Sequence, residues 1–419
     1  MERLKIVGGR PIHGELAVHG AKNSVLPLMA ATIAAKGECV LDNCPNLRDV
    51  RGTARILRHL GCGAELKDGA ARIDTAGMNR TDIPEHLMRE MRSSFIFLGP
   101  ILARMGQVSV SYPGGCNLGQ RPIDLHLEGF RKLGAEIRED GGTITCKAAK
   151  LRGADIHLSF PSVGATENLM IAAATAEGRT TITNAACEPE IVDLQDFLNE
   201  LGAKVSGAGC STVYIEGVQA LHGARHRVIA DRIVAATYLA AAAATGGEIT
   251  LTGVTPGHIG SVLNVFGAAG CEVTRTRDSI HLRTKGRLIA PKATIHTRPH
   301  PGFPTDAQSP IMAMCAAAKG TTIFVENIFE NRYRHVGELA RMGADIKVEN
   351  RVAVVIGVDK LYGAQAACTD LRGGAAMVVA ALAAEGQSLI GELAHIDRGY
   401  ENLEQSLRSL GAELERVER

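Results

Sequence analysis

Two series of glycines recur along this chain at one spacing, and that repeat limits the possible fold more than any other feature. The first series closes apolar-periodic segments at Leu60-Gly61, Leu133-Gly134, Leu201-Gly202, Ala269-Gly270, Met342-Gly343 and Leu410-Gly411, at intervals of 68 or 73 residues. The second series is Gly37, Gly106, Gly178, Gly246, Gly320 and Gly386, at intervals of 66 to 74 residues. Two independent series with a common period mark one supersecondary unit used six times.

Each copy has the same parts. A helix rich in small residues runs up to the second-series glycine, as over Leu26 to Ala35, Leu169 to Ala176 and Ala375 to Ala384, and the glycine is expected to cap it. A β-rich run follows: Cys39-Val40-Leu41, Val108-Ser109-Val110, Thr180-Thr181-Ile182, Ile249-Thr250-Leu251, Thr322-Ile323-Phe324 and Ser388-Leu389-Ile390. A more polar amphipathic helix comes next, such as Asp49 to Leu60 or Val336 to Met342, ending at the first-series glycine. One or two strands complete the copy. Alanine-rich helices pack closely, so they are expected inside, with the strands and the polar helices around them.

Counting back from each second-series glycine places the helix starts at Lys22-Asn23, Arg92-Ser93, Gly164-Ala165-Thr166, Asp231-Arg232, Thr305-Asp306 and Asp370-Leu371-Arg372. Capping accounts for the Asn, Ser, Thr and Asp residues there. It does not account for Lys22, Arg92, Arg232 and Arg372, because the positive end of the helix dipole disfavours cations. A polyanionic ligand in a shared cleft would explain them.

Composition removes several classes of function. A chain of 419 residues with 45% hydrophobic and 22% charged residues suits a soluble protein of two or three domains. A net charge of +1 argues against a protein that coats nucleic acid or anionic membrane. Aromatics at 4%, with no Trp, leave few platforms for stacking single strands. No apolar stretch of signal-peptide length follows Met1-Glu2-Arg3-Leu4-Lys5, and the apolar run from Tyr238 to Ala244 is too short to span a bilayer. Ten cysteines without close pairing read as reduced thiols in a cytoplasmic protein. No C-x-x-C or H-E-x-x-H spacing occurs, so neither a metal nor a cofactor is expected.

One loop concentrates reactive side chains. Pro113-Gly114-Gly115-Cys116-Asn117-Leu118-Gly119-Gln120-Arg121-Pro122-Ile123-Asp124-Leu125-His126 puts a lone thiol in a Gly/Pro-rich turn, with an Arg, an Asp and a His close behind. Regular structure is disfavoured there, and such loops carry chemistry more often than cores do. A surface turn with an unreactive Cys is the plainer alternative.

Taken in order, these segments resemble the enolpyruvyl transferase family, and within it the branch that uses a UDP-N-acetylglucosamine acceptor. The resemblance spans essentially all 419 residues. It rests on Gly20-Ala21-Lys22-Asn23, Met91-Arg92-Ser93-Ser94, the Cys116 loop, Ser162-Val163-Gly164-Ala165-Thr166 and Glu188-Pro189-Glu190-Ile191-Val192-Asp193. It continues through Phe303-Pro304-Thr305-Asp306, Glu330-Asn331-Arg332, Thr369-Asp370-Leu371-Arg372 and His395-Ile396-Asp397-Arg398-Gly399-Tyr400. The Cys loop with its Arg-Pro-x-Asp-x-His tail is specific; a lone Asp-Leu-Arg is not.

The resemblance implies an α/β fold of two inside-out α/β barrel domains, each of three repeated units. It puts residues 1–21 with 230–419 in a catalytic domain carrying a general base. Residues 22–229 then form a domain carrying the Cys loop and much of the nucleotide-sugar site. The implied reaction moves the enolpyruvyl group of phosphoenolpyruvate to the sugar 3-hydroxyl and releases phosphate. By resemblance Lys22, Arg121 and Arg398 hold phosphoenolpyruvate, with Arg92 nearby. Asp306 takes the hydroxyl proton, and neighbouring cations are expected to keep it ionised. Cys116 supplies a proton to C3 of the enol and is able to form an adduct with phosphoenolpyruvate.

Asn23, Arg121, Pro122, Ile123, Asp124, Leu125, Ser162, Val163, Gly164 and Ile328 match positions that hold the nucleotide sugar. Arg332, Asp370 and Arg372 are carried over as further substrate-binding residues. The implied partners are these two small molecules, with no nucleic acid, no membrane and no second subunit. Phe160 and Cys187 depart from the pattern, standing where some relatives carry Lys and Arg. Two other readings stay open: the sister transferase that uses shikimate 3-phosphate, disfavoured by the Cys116 loop, and a non-enzymatic ring-like scaffold.

Overall fold

The structure is a computed structural model that describes residues 2–112 and 123–418, without the side chain of Arg92. All twelve glycines of the two series have left-handed backbones, with φ between +70° and +111°. Each first-series glycine follows the last turn of a helix: Arg48–His59, Asp124–Lys132, Pro189–Glu200, Gly260–Ala268, Val336–Arg341 and Leu403–Ser409. At Gly61 the two bonds of a Schellman ending form, Gly61 N to the Arg58 carbonyl at 3.0 Å and Cys62 N to the Leu57 carbonyl at 2.9 Å. The same pair recurs at Gly134, where Gly134 N meets Arg131 O at 3.0 Å and Ala135 N meets Phe130 O at 2.9 Å.

The second series behaves differently from the expectation of a helix cap. Only Gly106 and Gly246 cap their helices, Leu98–Met105 and Arg232–Thr245. The helices Lys22–Ala31, Val163–Ala173, Thr305–Cys315 and Leu371–Ala383 stop several residues earlier. The reason lies in the residue before each remaining glycine. Lys36 pairs with His222, Glu177 with Arg152, Lys319 with Ile289 and Glu385 with Tyr362 in short parallel bridges, which a helical backbone cannot make.

The six small-residue helices are buried on nearly every side. Residues 233–243 of Arg232–Thr245 and 372–382 of Leu371–Ala383 are all shielded from solvent. Outside them, among the described residues, lie six four-stranded sheets of one pattern. A short leading strand pairs in parallel with the strand that follows the helix, and an antiparallel pair completes the sheet. Asp155–His157, Arg179–Thr183, Thr212–Glu216 and Lys204–Ser206 form one example. Each unit is therefore an inside-out α/β assembly, helices within and sheets without.

Contacts divide the described chain into two compact units, residues 2–18 with 230–418, and residues 19–112 with 123–229. Each has its own apolar core. In the first, strand His13–Ala17 leads the Glu248–Thr252 sheet, and Glu2–Val7 lies between Gln387–Gly391 and Glu413–Glu418. In the second, Arg225–Arg227 returns to lead the Glu38–Asp42 sheet. The inner helices start at Lys22, Val163, Arg232, Thr305 and Leu371, with a 3-10 turn from Arg92 before Leu98–Met105, close to the positions the sequence predicts. Each start follows the carboxyl end of a leading strand, where α/β folds gather ligands.

The left-handed turns are separable from the packing around them. An added Cβ at Gly134 meets nothing within 4 Å, whereas one at Gly61 would lie 2.6 Å from the Gly77 carbonyl oxygen. Gly134→Ala should cost about 1–2 kcal/mol, the penalty of a left-handed residue with a side chain. Gly61→Ala should lower the midpoint of chemical denaturation further; equal midpoints for the two variants would contradict this account.

Candidate functional site

In the first unit the start of helix Thr305–Cys315 carries Asp306, and two arginines close on it. Arg332 Nη2 lies 2.9 Å from Asp306 Oδ1, and Arg372 Nη2 lies 3.0 Å from Oδ2. The Arg332 side chain is 1% exposed, Arg372 4% and Asp306 28%, so the carboxylate is the accessible member. Arg332 also donates to the Thr305 carbonyl from Nε at 3.2 Å and Nη2 at 2.9 Å. That fixes its plane against the turn carrying Asp306.

Arg372 sits in the first turn of helix Leu371–Ala383. Asp370 caps that helix, accepting from Arg372 N at 3.0 Å and Gly373 N at 3.1 Å. The Arg372 guanidinium lies 5.9 Å from the centre of the Tyr400 ring, and its Nη1 is 3.5 Å from the Tyr400 hydroxyl. Burial would pull the Arg372 pKa down, but Asp306, Tyr400 and Asp231 outweigh it and hold the charge firmly. Ile328 lies on the segment leading to Arg332, and Arg398 ends the 3-10 turn Leu393–Arg398.

In the second unit Lys22, first residue of helix Lys22–Ala31, pairs with buried Asp49 at 2.8 Å. Asp49 stands in the first turn of Arg48–His59, where the helix dipole favours an anion. Ser162 caps Val163–Ala173, its Oγ accepting from Ala165 N at 3.3 Å. Ile123, Leu125 and Val163 pack half-buried on one core, and Asp124 opens helix Asp124–Lys132.

His126 joins these last two helices. Asn168 Oδ1 accepts from Gly99 N at 2.7 Å, while its Nδ2 donates to Phe95 O at 2.9 Å and faces His126 Nδ1 at 3.0 Å. With the amide orientation so fixed, Nδ1 must accept and Nε2 carries the hydrogen. Burial pushes His126 down to about 4, so the ring is neutral near pH 7. A Cβ at Gly164 would lie 3.5 Å from Nε2, which places this donor beside Ser162, Val163 and Gly164.

The structure thus brings Asp306, Arg332 and Arg372 into direct contact, and sets Ile123–Leu125 beside Ser162–Gly164. Cys116, Arg121, Pro122 and the Arg92 side chain lie outside the described residues. Two cations that capping left unexplained, Lys22 and Arg372, have carboxylate partners within their own unit. Sequence reasoning assigned no role to Asp49, Tyr400 or the His126–Asn168 pair. Asp49 had one signal, a carboxylate in the first turn of a helix of the same unit as Lys22. Phe160 is exposed, and Cys187 is half-buried with its pKa raised by burial.

The family model described as EPSP synthase (3-phosphoshikimate 1-carboxyvinyltransferase) matches residues 6–407. The chain is 50% identical to UDP-N-acetylglucosamine 1-carboxyvinyltransferase 2 of Caldanaerobacter subterraneus subsp. tengcongensis over 419 residues, covering 100% of both chains. It is 49% identical to UDP-N-acetylglucosamine 1-carboxyvinyltransferase 1 of Carboxydothermus hydrogenoformans over 417 residues, covering 100% of this chain and 99% of that one. Among solved structures, the enolpyruvyl transferase NikO from Streptomyces tendae superposes with a TM-score of 0.88, covering 99% of each chain at 24% identity, which is a likeness of fold.

His335, behind this arginine cluster, makes the first unit sensitive to acid. Its Nδ1 lies 3.2 Å from the Arg332 carbonyl, its Nε2 has no hydrogen-bond partner among the described residues, and burial lowers its pKa to about 4. The unfolded chain takes up a proton near pH 6.5 that the native chain refuses until about 4, so stability falls as pH drops through that window. Denaturation midpoints should decline from pH 7 to pH 5, and less steeply in His335→Gln. An identical slope in the variant would remove His335 as the cause.

Proposed function

The chain belongs to the EPSP synthase family of enolpyruvyl transferases, and we propose that its reaction is transfer of the enolpyruvyl group from phosphoenolpyruvate to the 3-hydroxyl of UDP-N-acetylglucosamine. The reaction releases phosphate and opens peptidoglycan precursor synthesis. The observation that carries this reading is 50% identity, over the whole length of both chains, to a transferase named for that acceptor. The Cys116 loop favours it over the shikimate 3-phosphate reading.

The chemistry assigns a task to each group. C3 of phosphoenolpyruvate gains a proton, the sugar oxygen bonds to C2 and gives up its own proton, and a tetrahedral adduct forms. Loss of a C3 proton with phosphate departure restores the double bond. Asp306 is the base for the sugar hydroxyl, and its partial exposure beside two buried guanidiniums supports that role. Cys116 is the acid at C3. Lys22, Arg121 and Arg398 hold phosphoenolpyruvate, with Arg92 close by, and stabilise charge that develops on carboxylate and phosphate.

Asn23, Arg121 to Leu125, Ser162 to Gly164 and Ile328 hold the nucleotide sugar, while Arg332, Asp370 and Arg372 shape the pocket of the base. In this reading residues 1–21 with 230–419 form the domain of the base, and residues 22–229 carry the Cys loop. The steps as written use no metal or cofactor.

Phosphate release decides the acceptor. It should appear from phosphoenolpyruvate with UDP-N-acetylglucosamine and stay at background with shikimate 3-phosphate; the reverse pattern would overturn the assignment. Asp306→Asn should lower turnover by roughly 10²–10⁴-fold, the usual worth of a general base, with nucleotide-sugar affinity little changed. Weakened binding at normal turnover would make Asp306 a binding residue only.

A further inference from the structure

Twenty residues beyond Asp306 lies a second, more deeply buried carboxylate. Glu326 is 1% exposed, and among the described residues no Lys or Arg side chain forms an ion pair with it. Both side-chain oxygens are met by neutral donors. Oε1 accepts from the backbone N–H of Ile328 at 2.8 Å and of Phe329 at 2.9 Å. Oε2 accepts from the Thr305 hydroxyl at 3.0 Å and from Gln308 Nε2 at 3.3 Å. One oxygen therefore holds the segment bearing Ile328. The other holds the first turn of the helix bearing Asp306.

We propose that Glu326 is a positioning residue, a buried clamp that sets the nucleotide-sugar segment at Ile328 against the base Asp306. The proposal rests on the functional reading above. It follows from what the four bonds join. Ile328 and Phe329 lie in no helix or strand, so no backbone ladder fixes their amides. Leaving two such half-buried donors unpaired costs more than the bonds themselves contribute. Thr305 adjoins Asp306 directly, and its carbonyl is the anchor of Arg332. A shift of this turn thus moves the base and one of its guanidiniums together. A misplacement of about 1 Å is enough to cost on the order of 10²-fold in turnover.

Two groups of donors allow the two arms to be cut separately. Thr305→Val keeps the shape and removes only the hydroxyl. Glu326→Gln keeps one acceptor, which the two fixed peptide N–H groups should claim. Glu326→Ala removes both arms.

The test measures kcat, KM and the dissociation constant for UDP-N-acetylglucosamine in the full chain, with the thermal midpoint alongside. Glu326→Ala should weaken nucleotide-sugar binding roughly tenfold and lower kcat at least as much. Glu326→Gln should restore affinity to within about twofold, and Thr305→Val should lower kcat about tenfold at unchanged affinity. If Glu326→Ala does not fold, the other two variants decide. Wild-type kcat in Thr305→Val, or affinity lost in Glu326→Gln as fully as in Glu326→Ala, would overturn the clamp. So would a set of variants that lowers the thermal midpoint alone. Failure of the unaltered protein to turn over UDP-N-acetylglucosamine would instead sink the functional reading, before any variant is compared.

Discussion

A helix enclosed on every side has no solvent face, and most of this structure follows from that. Apart from one Arg each in the first turn, Leu371–Ala383 and Arg232–Thr245 hold no charged residue, because a charged side chain would be stranded along their length. Small residues let neighbouring helices approach, and the sheets must then stand outside. A polar group inside an inner helix needs partners close at hand, as Asn168 has in Gly99, Phe95 and His126. Lys22, Asp306 and Arg372 stand instead in the first turns of inner helices.

Charges gathered at such ends are costly unless matched. Bringing an ion out of water is repaid only by good partners, and here the partners are preset: Asp49 for Lys22, Asp306 for Arg332 and Arg372. These guanidinium and ammonium groups are thus held in place by carboxylates of their own unit.

The repeat was legible because it is written in backbone constraints. Left-handed turns at Gly61, Gly134 and their equivalents select glycine wherever they occur, so the period survives although the side chains around it change. The β-rich runs lay inside the observed strands for the same reason, since each glycine fixes where a strand begins. Helix ends were misjudged near Gly178 and Gly320 because parallel bridges to Arg152 and Ile289 take the backbone out of helix early, and those partners are remote in sequence. Asp306 and Arg372 stand at helix starts that the glycine period locates, and the resemblance supplies their roles, whereas Glu326 is reached by neither. A Glu after a strand looks like an ordinary surface residue, and its burial depends on four donors from two segments that no local pattern reveals.

The second unit ties down its first inner helix by related means, and the difference is chemical. Ser24, two residues after Lys22, donates to Asp193, and the other oxygen of Asp193 faces His226 Nε2 at 2.9 Å. His226 Nδ1 faces Glu200 at 2.9 Å, so a carboxylate stands at each ring nitrogen and favours the protonated ring. Burial works against that charge, but Asp193 and Glu200 prevail and raise its pKa. A group raised in the folded state stabilises it below the unfolded value and stops doing so as pH rises through the folded one. The anchor of helix Lys22–Ala31 therefore weakens toward alkaline pH, while His335 weakens the first unit toward acid. Glu326, whose bonds come from peptide, amide and hydroxyl donors, has no partner that titrates in either range.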